Sequence, residues 1–220
     1  MKIQVWDLPT RVFHWLLVIS VVFLIVSGKT GILFDWHQTA GVLVLSLLIY
    51  RLIWGFWGST TARFSDFIYS PLQVLNYAKG LLSRKANLYI GHNPVGGFMV
   101  LVMLLLLLFQ AITGLFSSDD ILVEGALYSH VTEETAAYLT QLHHMGGEWL
   151  LPVVALHIAA IIFYRIYKKH DLLKPMLHGK LEVEAETKKT LSQTPAIYGL
   201  ALLLASYMMT YLALQWLAGV

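Results

Sequence analysis

Cysteine is missing altogether from this 220-residue chain. Its absence excludes disulfides, haem attached covalently through a C-x-x-C-H motif, cysteine-held iron–sulfur clusters and thiol chemistry. Charge is scarce as well: 13% of residues are Asp, Glu, Lys or Arg, against 57% hydrophobic. One small water-soluble core cannot hide that much apolar surface, so lipid is the solvent this composition fits. Internal repeats and low-complexity tracts are lacking, and no nucleic-acid partner is expected. What remains for redox or metal chemistry is histidine, of which there are nine.

Five apolar stretches reach the roughly 17–25 residues a bilayer requires: about 12–28, 37–57, 94–116, 141–164 and 196–217. They predict an all-α integral membrane helical bundle. The first is not read as a cleaved signal peptide, because no small-residue cleavage site follows it and its flank carries Trp6, Asp7 and Arg11. Lysine and arginine bias loops toward the cytoplasm. Lys2 and Arg11 precede helix 1; Arg51, Arg63, Lys79, Arg84 and Lys85 lie between the end of helix 2 and the start of helix 3; Arg165, Lys168, Lys169, Lys174, Lys180, Lys188 and Lys189 follow helix 4. Only Lys29 falls on the other side. A cytoplasmic N-terminus and an external C-terminus follow.

Between Ala62 and Lys85, Pro71 suits a first helical residue and Leu72, Leu75, Ala78, Leu81 and Leu82 recur at helical spacing. That pattern predicts an amphipathic helix on the cytoplasmic membrane face. The loop between helices 3 and 4 carries Asp119, Asp120, Glu124, Glu133 and Glu134 and no basic residue. Such a loop is either merely solvated or a dock for a basic partner such as a soluble c-type cytochrome.

A histidine inside a spanning helix is costly unless bonded or ligated, which makes each one a site hypothesis. His14 sits near the cytoplasmic end of helix 1, and His37 opens helix 2 externally. Helix 4 carries His143 at its external end and His157 further in. Fourteen residues at about 100° each bring His157 to within roughly 40° of His143, about 21 Å along the axis. The neighbouring His144 is rotated by about 220° from His157 and faces away. Depth then pairs His37 with His143 and His14 with His157. Iron of a b-type haem, held by two axial histidines between helices, suits this pattern and needs no cysteine. A zinc site fits less well, since neither level has carboxylate or thiolate company.

Arg51 lies fourteen residues beyond His37 on nearly the same helical face, placed to meet a haem propionate. Arg11 is a second candidate, and simple positive-inside flanking is the alternative for both. Gly41, Gly96, Gly97, Gly146 and Gly147 either give a flat macrocycle room or mark close helix packing. His92, before Asn93-Pro94, reads as a capping or interfacial residue rather than part of a quinone site, and His130, His170 and His178 as solvated loop residues.

The segment Val5-Trp6-Asp7-Leu8-Pro9-Thr10-Arg11-Val12-Phe13-His14-Trp15 resembles the opening signature of the prokaryotic cytochrome b561 and nickel–iron hydrogenase cytochrome b superfamily. Gly91-His92-Asn93-Pro94 with Gly96-Gly97, the His143 to His157 pair, and the spacing of His37, Gly41 and Arg51 resemble it too. The likeness covers roughly residues 3–178. It implies a four-helix core holding two b haems, ligated by helix 1 with helix 4 and by helix 2 with helix 4. It also implies electron exchange between the quinone pool and a redox partner in the bacterial inner membrane and respiratory chain, where the external C-terminus expected from the charge bias is periplasmic. A fifth hydrophobic segment after a charged linker departs from the common pattern, so residues 1–178 are expected to form the di-haem core and 179–220 the linker and fifth helix. Partner docking and homo-oligomer contact both stay open for that helix.

The expected function is transmembrane electron transfer through two bis-histidine haems, between quinone and a redox partner, with no side chain acting as a covalent catalyst. Three rivals stand beside it: the haem-bearing anchor of a hydrogenase or dehydrogenase complex, a superoxide:quinone oxidoreductase, and a non-redox transporter or scaffold. The lack of inverted repeats or broken helices argues against a transporter.

Overall fold

A computed structural model describes residues 1–83, 89–119, 123–182 and 190–219. Arg84, Lys85, Asp120, Lys188 and Lys189 lie outside the described residues. The fold is all-α, with five helices among the described residues long and apolar enough to cross a membrane. These are α1 (Leu8–Thr30), α2 (His37–Trp57), α5 (Pro94–Gly114), α6 (Glu133–Ile166) and α8 (Ala196–Ala218). Shorter helices α3 (Phe64–Phe67), α4 (Pro71–Lys79) and α7 (Leu173–His178) lie between them. Large apolar side chains such as Ile19, Leu105, Leu204 and Met209 are exposed along the long helices, as a lipid-facing surface requires.

Helix ends differ from the hydropathy pattern where local chemistry extends the helix. α1 begins at Leu8 because Asp7 caps it: its Oδ1 accepts the Thr10 backbone N–H at 2.7 Å. α6 begins at Glu133, two turns ahead of its apolar stretch, where Thr132 Oγ1 accepts the Thr135 N–H and two glutamates occupy the first turn. Pro152 lies inside α6 and removes one donor from the ladder between His143 and His157. α4 starts at Pro71 behind a Ser70–Gln73 capping box and ends at Lys79, so Leu81 and Leu82 fall beyond it; Leu72 and Leu75 are exposed.

The chain divides into two compact units. The first comprises Met1–Val12, Leu52–Met103 and Val153–Leu200. Here strand β1 (Lys2–Gln4) pairs antiparallel with β2 (Lys180–Glu182), Lys2 opposite Glu182. Val5, Trp6 and Ile90 form a small buried cluster with Ile3, Met176, Leu181 and Leu191 around them. The backbone N–H groups of Val5 and Trp6 both donate to the carbonyl of Gly179, which sits in the left-handed region at φ 81° and closes α7. Asp7 Oδ2 accepts the Trp54 indole N–H, tying the N-terminal segment to α2. Pro9 and Trp54 come so close to α8 that a Cβ on Gly199 would stand 2.4 Å from Pro9.

The second unit comprises Phe13–Arg51, Leu104–Pro152 and Ala201–Val220. Val44, Leu47, Leu48 and Tyr50 on α2 and Leu107 on α5 are buried within it. With α1 and α2, α8 lines a cavity of about 640 Å³ whose wall is apolar apart from the Thr39 and Tyr207 hydroxyls and the Trp36 indole.

Candidate haem site

The second unit brings His37 and His143 together, with ring centroids 6.3 Å apart and ring planes at 80°. Each ring is anchored through its Nδ1. His37 Nδ1 lies 2.8 Å from the hydroxyl of Ser27, a fully buried residue in the last turns of α1. His143 Nδ1 lies 3.0 Å from the main-chain carbonyl of Gln110 and 3.3 Å from Thr113 Oγ1, both on α5. A carbonyl only accepts, so the His143 proton sits on Nδ1 and its Nε2 keeps a lone pair.

Glycines let both rings lie close to neighbouring helices. A Cβ on Gly28 would stand 3.2 Å from His37 Cε1, and one on Gly114 would stand 2.9 Å from His143 Cε1. At Gly41, one turn beyond His37, nothing lies within 4 Å of where a Cβ would be. Gly97 and Gly146 serve packing instead: a Cβ there would meet the Phe67 carbonyl at 2.2 Å and the Gln110 side chain at 2.3 Å.

These residues fit a b-type haem. Two imidazoles that each take an imidazole–metal distance of about 2 Å on one iron put their ring centroids about 6 Å apart, close to the observed separation. Nδ1 partners are also what an axial histidine needs to present Nε2. Among the described residues, no group of three or more His, Asp or Glu side chains converges in a way that could hold an ion by itself.

The other residues predicted from sequence are placed as follows. His144 is exposed, its ring 6.4 Å from that of His143 with the planes at 69°. His14 is half-buried, its ring edge-on to Trp15 at 5.2 Å. It belongs to the second unit and His157, half-buried on α6, to the first, so their pairing rests on the sequence argument. Arg51 is 4% exposed near the end of α2, and a buried guanidinium requires a counter-charge or full hydrogen bonding. Arg11 donates from Nη1 to the Leu177 carbonyl at 2.7 Å, so part of its donor capacity serves the fold of the first unit.

His92 packs its ring between Trp6 and Phe67, each at 4.8 Å, while the cap of α5 is supplied by Asn93, whose Oδ1 accepts the Gly96 N–H. The same Asn93 donates to the Tyr164 hydroxyl, which meets the Tyr77 hydroxyl at 2.8 Å. Outside the spans, burial and then the Tyr164 hydrogen bond push the Tyr77 phenol above its ordinary range. No motif in the sequence marks Ser27, Gly28, Gln110, Thr113 or Gly114 as neighbours of these rings. Ser27-Gly28, near the end of α1, lies beside His37 at the start of α2, a proximity that carries no motif of its own.

A family model described as prokaryotic cytochrome b561 matches residues 5–179. The chain belongs to the prokaryotic cytochrome b561 family. It is a multi-pass membrane cytochrome b, and the family implies a b-type haem serving electron transport. Similar curated proteins include the "Probable Ni/Fe-hydrogenase B-type cytochrome subunit" of Rhizobium leguminosarum bv. viciae, 26% identical over 215 residues, with 81% of this chain and 88% of the relative covered. The protein of the same description from Rhodobacter capsulatus is 24% identical, with 81% and 80% covered. The "Probable Ni/Fe-hydrogenase 1 B-type cytochrome subunit" of Escherichia coli K12 is 24% identical, with 80% and 88% covered. No solved structure matches the chain.

Proposed function

We propose that this cytochrome b carries two b-type haems and moves electrons across the bacterial inner membrane between a redox partner subunit and the quinone pool. His37 with His143 holds one haem and His14 with His157 the other, within a core of residues 1–178; Arg51 and Arg11 are the cations for propionates. The observation that carries the reading is the His37–His143 pair, two imidazoles 6.3 Å apart with their Nδ1 atoms engaged. When bound, a b-type haem supplies a one-electron carrier whose potential the surrounding protein tunes. The chain's own part is to hold each imidazole at a fixed orientation, to exclude water with apolar helices, and to neutralise acidic groups through Arg51.

The relatives' names support a nickel–iron hydrogenase as the redox partner, with this chain as its membrane-bound haem subunit. Lysine and arginine placement supports a cytoplasmic N-terminus and a periplasmic C-terminus. A reduced-minus-oxidised visible spectrum with a haem-to-protein ratio tests the core of this reading. Two haems per chain with b-type bands are expected, and a haem-replete preparation without such bands would overturn it. Affinity purification from membranes should bring down hydrogenase subunits; a different redox enzyme in their place would reassign the partner.

A further inference from the structure

We infer that Ser27 is a positioning residue that sets the reduction potential of the haem held by His37. The inference rests on the proposed role of His37 as an axial ligand. Ser27 is fully buried in α1, where a hydroxyl without a partner would be costly. Its Oγ has two neighbours: the Leu24 carbonyl at 3.3 Å and His37 Nδ1 at 2.8 Å. A carbonyl accepts and never donates, so the serine proton goes to Leu24 and the oxygen lone pair is left to accept from Nδ1–H. The result is a directed chain, His37 Nδ1–H to Ser27 Oγ, and Ser27 Oγ–H to Leu24 O. It assigns the tautomer of His37 and leaves Nε2 as the only nitrogen able to ligate.

The same chain polarises the ring. Withdrawing the Nδ1 proton toward an acceptor makes Nε2 a more basic ligand, which favours ferric over ferrous iron and lowers the potential. The two ligands of this level differ in how this is done. For His143 the nearer acceptor is the main-chain carbonyl of Gln110, with Thr113 Oγ1 further off at 3.3 Å. A carbonyl acceptor persists whatever side chain is substituted, so of the two nearer Nδ1 partners, Gln110 O and Ser27 Oγ, it is Ser27 Oγ that a substitution removes. Gly28 adds shape to chemistry: by keeping its Cβ position clear beside His37 Cε1, it lets the ring approach the Ser27 turn of α1.

The experiment is a spectroelectrochemical titration of the full-length protein in membranes or detergent, with low-spin EPR, for Ser27→Ala, Ser27→Thr and His37→Ala. In Ser27→Ala the potential of one haem is expected to rise, shifting its ferrous-to-ferric ratio up to tenfold at fixed applied potential, about 59 mV for one electron. The EPR signal of that haem should shift while the other stays in place. Ser27→Thr, which keeps the hydroxyl, should return both toward the original values. Unchanged potentials in Ser27→Ala with both haems bound would overturn the inference. If Ser27→Ala loses the haem instead, retention in Ser27→Thr supports the hydroxyl's role, and equal loss in Ser27→Thr overturns it. His37→Ala separates the two levels of argument: loss of one haem there keeps the ligand reading even where Ser27 fails, whereas two intact low-spin haems overturn both.

Discussion

Asp7 and Ser27 stand near opposite ends of α1, both buried and both hydrogen-bonded through a side-chain oxygen. Asp7 accepts from a main-chain N–H and from the Trp54 indole, so it joins a helix start to α2 and stabilises the chain. Ser27 reaches an imidazole instead, and its effect is carried onward through that ring. Gln4, Thr61 and Arg63, in the same unit as Asp7, donate to main-chain carbonyls; beside Ser27 the partner is a histidine nitrogen. Buried polar groups in a lipid-embedded chain thus divide into those that hold backbone and those that orient an imidazole. The atom at the far end of the hydrogen bond distinguishes them.

The sharpest way to break this distinction is to remove a ligand. His143→Ala should lose one haem, halving the haem-to-protein ratio, whereas His144→Ala should keep both; the reverse pattern in folded proteins would overturn the register of α6. Next in size is Asp7→Ala, which removes a helix cap and an indole acceptor together. It should cost about 1–2 kcal/mol and lower the thermal midpoint, yet leave the haem potentials where they were. A shift in potential without loss of stability would mean that Asp7 belongs with the ligand-orienting groups.

Smaller effects are expected where only shape changes. Gly114→Ala and Gly28→Ala place a Cβ 2.9 Å and 3.2 Å from the His143 and His37 rings, tight enough to turn each imidazole by a few tenths of an ångström. Both should alter the low-spin EPR signal with haem retained, Gly114→Ala more strongly; an unchanged signal in both would separate these glycines from the site. The smallest effect belongs to Asp171, in the first unit. Its carboxylate accepts from the Lys174 and Leu173 backbone N–H groups, and the Lys174 bond above all holds its pKa below the ordinary value. With the folded pKa depressed, its stabilisation is present above the usual aspartate range and is lost as pH falls through the lowered value. Asp171→Asn should flatten the acid side of the thermal midpoint against pH and change no haem property.

Much of the chain's organisation was legible because membrane solvent writes plainly. Five apolar runs mark five spans, and α2 begins at His37 as the pattern predicts. Helix ends were less legible: α6 starts at Glu133 and α1 at Leu8, since hydropathy reports what lies in lipid, while caps such as Thr132 and Asp7 report where the backbone turns helical. Within helix 4, spacing alone separated His143 from His144, and the structure turns His143 toward His37 and leaves His144 exposed. Spacing fixes facing within one helix because the rotation per residue is nearly constant.

What the sequence by itself determined is therefore one-dimensional: lipid as solvent, the number of long helices, the absence of cysteine, and the spacing of the histidines along each helix. Only the tertiary structure decided what each imidazole leans on. The Ser27 hydroxyl, the Gln110 carbonyl and the clear Cβ positions of Gly28 and Gly114 come from other helices or other turns. A hydrogen bond from an imidazole Nδ1 to a neighbouring helix depends on distances across a helix–helix contact. Periodicity along one helix cannot encode such a distance, because the partner's depth and rotation are set only when the helices pack.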